Sequence, residues 1–300
     1  MSGRGLMKGE ARWLLLALAG LAAAMLLAGG ALLTSRPRVD GGESLSYIPY
    51  ADDKSLGVNV DLSAMSPDVR EATLTALEQA GFLWVRQRFA WDQIEPEPGV
   101  FDWMVYDAIV DDLARHGITV IALLDGSPEW ARDSRDHANP LAPPVESRSL
   151  GDWAEAVATR YGSRIDVYQV WDEPNISPHW GAREISPVGY GHLLREAAMR
   201  IRAADPGATI LLAALAPNVE GGGANLSELA FLEALYQWGG AEWFDGVAVQ
   251  PYPFDQPVEA AADPVALNWN RAALVRDVMA RHGDAGTAVW AVAFGCQGGG

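Results

Sequence analysis

Cysteine is almost absent from this chain of 300 residues: Cys296 stands alone, so no intrachain disulfide can form. A chain this long with about half its residues apolar can bury a sizeable core without such staples. A catalytic thiol needs a base or a depressed pKa, and Cys296 lies in a Gly-rich end with no His near it in sequence. Positive charge is also scarce. With 22 Lys and Arg against 39 Asp and Glu, the net charge is −17, which argues against a nucleic-acid partner, whose phosphates call for clustered cations. The five His are scattered singly and no cluster has metal-ligand spacing, so neither a metal nor another cofactor is expected. A Gly-rich phosphate loop is likewise missing after the first β-rich run. Neutral ligands remain open, and twelve Trp supply flat aromatic faces for a large core or for stacking on sugars.

One long hydrophobic run is present. Arg4, Lys8 and Arg12 precede an uncharged stretch from Trp13 to Leu33, after which Arg36 and Arg38 appear. A run of about twenty apolar residues can span a bilayer as one helix. A secretory signal has a shorter apolar core of roughly 7 to 15 residues, so an uncleaved anchor is favoured over a cleaved signal, for which the small residues Ala28 to Ala31 leave room. The expected organisation is a signal anchor or transmembrane helix over 1–34, a linker over 35–52 and one large domain over 53–300. That acidic domain is expected outside the cytoplasm, tethered to the membrane or, after cleavage, secreted.

Beyond the linker, β-rich runs alternate with helical patterns, the sequence form of a parallel sheet wrapped by helices. The predicted strands are 56–62, 82–89, 118–124, 166–171, 209–215, 246–250 and 288–293. The predicted helices are one that begins at Ser66 and Pro67, then 103–116, 150–161, 187–204, 226–237 and 266–282. Ser66 and Pro67 suit a cap followed by the first helical position, and Gly117 suits a left-handed helix end. The fold class expected is therefore α/β, a (β/α)8 TIM barrel that stops after its seventh strand. A closed barrel links strand number, tilt and shear, so the simplest expectation is a shortened or altered form of a longer product.

Chemistry is read from the loops at the C-terminal ends of the strands, where such a barrel keeps its site. The fourth strand runs into Trp171-Asp172-Glu173-Pro174-Asn175, which places carboxyl groups where a strand breaks into a loop beside a Trp able to face a sugar ring. Cleavage of a glycosidic bond uses two carboxyl groups, one to protonate the leaving oxygen and one to attack the anomeric carbon or activate water. Glu173 is the candidate acid, against the plainer reading of a strand-end Glu paired with Arg. Arg86 and Arg88 share one face of strand two, and Trp91, Trp130 and Trp180 lie in loops where they could stack on sugars or pack the rim.

The order of strands, the Trp-Asp-Glu-Pro-Asn motif, Tyr252 after strand six and the Trp-x-x-x-Phe-Gly pattern of Trp290 to Gly295 together resemble the retaining glycoside hydrolases of clan A, particularly the family 5 and family 39 types. The resemblance covers about Leu56 to Gly295. It implies Glu173 as acid/base, an Arg at position 86 or 88 near the mouth, and Tyr252 as the strand-six tyrosine that holds the nucleophile. Gln250 stands where many relatives have His. Two departures matter. Asp172 replaces the usual Asn that binds the 2-hydroxyl of the sugar, and a carboxylate can accept from that hydroxyl but not donate. Ala293 stands where the attacking Glu belongs, and a methyl group cannot attack. Asn175 joins Arg86, Asp172, Tyr252 and the three Trp as expected substrate contacts.

Three functions follow: hydrolysis of O-glycosyl bonds in oligosaccharide or polysaccharide, carbohydrate binding by a membrane-tethered pseudoenzyme, or an inactive fragment.

Overall fold

A computed structural model describes residues 55–295. The sequence alternation is realised as seven parallel strands in sequential order: β1 (Gly57–Asn59), β2 (Trp84–Ala90), β3 (Thr119–Asp125), β4 (Val167–Val170), β5 (Thr209–Leu212), β6 (Gly246–Val249) and β7 (Ala288–Ala291). Six helices return between them: α1 (Pro67–Gln79), α2 (Met104–Arg115), α3 (Ser147–Tyr161), α4 (Pro187–Ala204), α5 (Glu228–Trp238) and α6 (Ala272–Arg281). The signal anchor and linker predicted over 1–52 lie outside the described residues. Among the described residues no helix is long and apolar enough to cross a membrane.

Alternation along each strand sorts the side chains onto two faces. Val85, Phe89, Val120, Leu124, Tyr168 and Ile210 point outward, where the helices bury them in one continuous core. The other face forms a separate inner cluster of Ile121, Val167, Leu211, Ala248 and Val292, with Trp84 and Trp290 packed against it. The sheet is curled: Trp84 on β2 meets Trp290 on β7 edge to face at 5.6 Å, and the Asn59 side chain of β1 donates to the Val292 carbonyl at 2.8 Å. No ladder joins β1 to β7 among the described residues, so the curl brings the two ends together through side chains and the ladder stays open.

Local signals act as expected. The Ser66 hydroxyl caps α1 by accepting from the Val69 amide, with Pro67 following, an arrangement contributing about 1 kcal/mol. Gly117 takes φ 64° just past α2, where a side chain would be strained. Several boundaries differ from prediction. β1, β5 and β7 are shorter, because pairing ends before the apolar run does. The helix predicted over 266–282 starts only at Ala272, after a tighter turn at Trp269–Arg271 that carries Arg271 inward to Glu228.

Candidate active site

The site lies at the C-terminal ends of β1, β4, β6 and β7, with Arg86 reaching it from within β2. Its centre is the break that follows β4. The Trp171 amide donates to Leu124 of β3 and the Glu173 amide to Ala214, and Asp172 pairs with Ala214 as a parallel bridge. Trp171 and Glu173 both take positive φ, 68° and 48°. Such values are uncommon for residues with a side chain and cost of order 1–3 kcal/mol each. Their consequence is geometric. A regular strand would send Asp172 and Glu173 to opposite faces, whereas here both carboxylates meet groups from the strand ends.

Asp172 sits deeper. Its Oδ1 accepts from Arg86 Nη2 at 2.7 Å and from Gln169 Nε2 at 3.1 Å. Arg86 divides its remaining donors between Gln169 Oε1 at 2.9 Å and Asn59 Oδ1 at 3.2 Å, so β1, β2 and β4 are knitted together beneath the mouth. No hydrogen bond reaches Asp172 Oδ2 from the described residues.

Glu173 is held differently. Gln250, just past β6, donates to its Oε1 at 3.0 Å, and His179 Nε2 stands 3.4 Å from Oε2. His179 Nδ1 is 3.2 Å from the Asp172 carbonyl oxygen, an acceptor, which places the proton of a neutral ring on Nδ1. Nε2 is then free to accept a proton shared with a protonated Glu173, or to donate to a carboxylate when the ring is charged. About a quarter of the Glu173 side chain is exposed, so solvent and a ligand can reach it. Tyr252 lies close enough to feel the charges here. Its phenol is shifted upward, first by burial and then by the negative charge of Glu173, with Arg86 opposing.

The structure brings together Glu173, Asp172, Arg86 and Tyr252 from the expected set. Ala293 follows Val292, whose amide still bonds to β6, so it lies on the same rim, one residue beyond an inward-facing position and past the end of β7. Arg88 serves elsewhere, paired with Asp125 of β3.

Other expected ligand contacts are structural. Trp91 is fully buried, stacked on Trp153 at 5.5 Å and donating to Glu95. Trp180 is buried against Tyr190 of α4. Trp171, read as a possible sugar platform, is 1 % exposed and donates to the His179 carbonyl. Asn175 is enclosed, with its amide satisfied by the backbones of Ala216 and Leu226. Their loops fold back onto the helices, where large apolar faces gain most from leaving water. Trp130, donating to the Glu95 carbonyl and partly exposed, is the one of the three loop Trp that presents a surface. Asn59, Gln169 and His179 were missed. A Gln inside the buried run Val167-Tyr168-Gln169-Val170 is a readable signal, since buried polar groups need partners; a lone His six residues after Glu173 gives none. Among the described residues no cluster of His, Cys, Asp and Glu could hold a metal ion.

Comparison with known proteins bears on the fold. The family model described as beta-galactosidase, of glycoside hydrolase family 42, matches residues 64–163, about a third of the chain. No curated protein matches. Among solved structures, a family 39 glycoside hydrolase from the gut symbiont Bacteroides cellulosilyticus WH2 superposes with TM-score 0.60 at 17 % identity, covering 80 % of this chain and 48 % of that one. A GH10 endoxylanase from a sugarcane soil metagenome gives 0.54 at 15 % identity, covering 81 % and 67 %. Xylanase XynB from Paenibacillus barcinonensis gives 0.52 at 15 % identity, covering 80 % and 68 %. The chain thus spans about half the length of the family 39 structure. The fold is that of the barrel glycoside hydrolases, with seven parallel strands in place.

Proposed function

We propose that this chain carries a carbohydrate site of the glycoside hydrolase type, acting on O-glycosyl bonds of an oligosaccharide or polysaccharide with Glu173 as the proton donor and later acceptor. The observation that carries this reading is the setting of Glu173: at the end of β4, between the Gln250 donor and the His179 ring, beside a second carboxylate neutralised by Arg86. Gln250 and His179 fix the carboxyl for a leaving oxygen. A second reading, binding without turnover, is favoured by Ala293, which removes the attacking group of the two-carboxylate mechanism. The apolar run at 13–33 supports placing this domain outside the cytoplasm, anchored or secreted.

The test is gain of function. Ala293→Glu should raise hydrolysis of aryl β-glycosides by about 10³-fold or more, roughly 4 kcal/mol of transition-state stabilisation. Glu173→Gln in that background should remove it for substrates with poor leaving groups. Azide should rescue the unsubstituted chain as a glycosyl azide of inverted configuration. A folded Ala293→Glu variant with no gain rejects position 293 as the seat of the nucleophile. Sugar binding lost in Glu173→Gln, with no turnover in either background, favours the binding reading.

A further inference from the structure

The departure at Asp172 and the departure at Ala293 have one explanation in common. A site without an attacking side chain can still cleave a glycoside with retention if the substrate brings its own nucleophile, and the 2-acetamido group of an N-acetylhexosaminide does so through its carbonyl oxygen. That mechanism asks the protein for an acid/base carboxyl at the leaving oxygen and a carboxylate that accepts the acetamido N–H as positive charge builds on the amide. We propose that Glu173 and Asp172 are these two groups, and that the site takes 2-acetamido-2-deoxy-β-glycosides. The proposal rests on the reading of Glu173 as proton donor.

Three observations select this substrate. Asp172 is an acceptor at the place where relatives of this type present an Asn to the C2 substituent, and an amide N–H is a better match to an acceptor-only group than a hydroxyl that must both donate and accept. The contacts of Asp172 are also asymmetric. Arg86 and Gln169 both donate to Oδ1, which fixes the carboxylate in rotation, while Oδ2 has no hydrogen bond from the described residues. Finally, the left-handed backbone at Trp171 and Glu173 breaks the strand alternation, so that two consecutive carboxylates both meet groups from the strand ends, Asp172 against Arg86 and Gln169 on the β2 and β4 side and Glu173 against Gln250 just past β6. A sugar ring above Asp172 then presents its C2 substituent downward and its glycosidic oxygen toward Glu173.

The steps balance without a co-reactant. The acetamido carbonyl oxygen forms a bond to C1 as the bond from C1 to the leaving oxygen breaks, and the Glu173 proton passes to that oxygen. The amide nitrogen, now part of a five-membered oxazolinium ring, keeps its proton in a hydrogen bond to Asp172. Water then attacks C1 and yields a proton to Glu173, and the bond from C1 to the ring oxygen opens, restoring the acetamide and the configuration at C1. Arg86 and Gln169 are positioning residues for Asp172.

The experiment compares 4-nitrophenyl 2-acetamido-2-deoxy-β-glucoside and β-galactoside with their 2-hydroxy counterparts on the full chain. Expected are turnover of the acetamido substrates with at least about 100-fold higher kcat/KM, a decline in rate along the acetyl, fluoroacetyl, difluoroacetyl and trifluoroacetyl series as the carbonyl loses nucleophilicity, and competitive inhibition by the bicyclic thiazoline that mimics the oxazoline. Asp172→Asn should lower kcat by about 10²–10³ with KM little changed, the loss typical of one preorganised electrostatic contact. The fluorination series and the thiazoline need no variant, so they decide the matter even if Asp172→Asn does not fold. Turnover insensitive to fluorination, or no turnover of acetamido substrates, overturns the proposal. If Ala293→Glu then cleaves 2-hydroxy glycosides and Glu173→Gln in that background removes the activity, the reading of Glu173 survives while this proposal falls; if Glu173→Gln leaves that activity intact, both fall.

Discussion

Asp125, at the end of β3, shows how burial and pairing compete in a single side chain. It is enclosed, and burial pushes its carboxyl up to about 6 against the pull of the adjacent Arg88 guanidinium, with Asp172 adding repulsion and Arg86 opposing it. Arg88 is a third exposed and is itself shifted upward, so the partners answer oppositely: the guanidinium keeps its charge and the enclosed carboxylate bears the desolvation. Asp92, facing the same guanidinium, is likewise raised by burial. A carboxyl whose folded pKa exceeds its unfolded value holds its proton more tightly in the native state, so its contribution to stability is complete below about pH 4 and is lost as pH rises through about 6. A shift of this size is worth on the order of 3 kcal/mol. Denaturant titrations from pH 4 to 7 should therefore show wild-type stability declining relative to Asp125→Asn by about 2–3 kcal/mol; parallel curves would show that the Arg88 pair holds Asp125 ionised throughout. Residues like this one define what the sequence could reveal about the site. Glu173 and Arg86 were legible because a carboxylate ending a strand and an Arg inside one have few other reasons to be there. His179 reaches Glu173 by a loop path that no periodicity encodes, and Trp91, Trp180 and Asn175 turned inward because a loop direction is set by packing rather than by residue type.

At the scale of elements, the ion pair between Glu228 at the start of α5 and Arg271 just before α6 fixes how the return helices meet the β5 and β6 loops. Both side chains are almost wholly buried. Arg271 also donates to the carbonyls of Asp263, Ala266 and Asn218 and to the Ser227 hydroxyl, so one guanidinium ties two helix starts to two loops. A pair of this kind adds little over an apolar isostere, but removing one partner strands a buried charge at a cost of about 3–5 kcal/mol. Glu228→Ala should lower unfolding stability by about that amount in urea, and Glu228→Gln, which keeps an acceptor, by less; a loss below about 1 kcal/mol for the alanine would show that the guanidinium finds water instead. This contact also explains a misplaced boundary. The apolar pattern of 266–282 continues through Ala266 and Leu267, yet α6 begins at Ala272 because Arg271 is drawn to Glu228 and Asn268 is held extended, its amide bonded to the Ala261 carbonyl. Where such long-range pulls are absent, sequence and structure agree: α4 occupies Pro187–Ala204, the range its pattern predicts.

For the molecule as a whole, the open seam between β1 and β7 should govern motion. Among the described residues, strands β2 to β6 are paired on both sides, whereas β1 and β7 each have one ladder, and the seam is spanned by Asn59 on the Val292 carbonyl and by the Trp84–Trp290 contact inside. In a parallel sheet successive amides point alternately to the two neighbours, so half of those on a singly paired strand lack a ladder partner and can exchange without global unfolding. Native-state hydrogen exchange should therefore grade outward, slowest in β3 and β4 and fastest in β1 and β7. The gradient reaches the site, since Asn59 holds Arg86, Arg86 holds Asp172, and Ala293 follows the end of β7. Binding of an oligosaccharide that contacts both Asp172 and the β7 rim should slow exchange in β1 and β7 together while leaving β3 and β4 unchanged. Protection in β7 equal to that in β3 without ligand would mean that a further strand pairs along the seam, and the site would then be held by a closed ladder instead of by these two side-chain bridges.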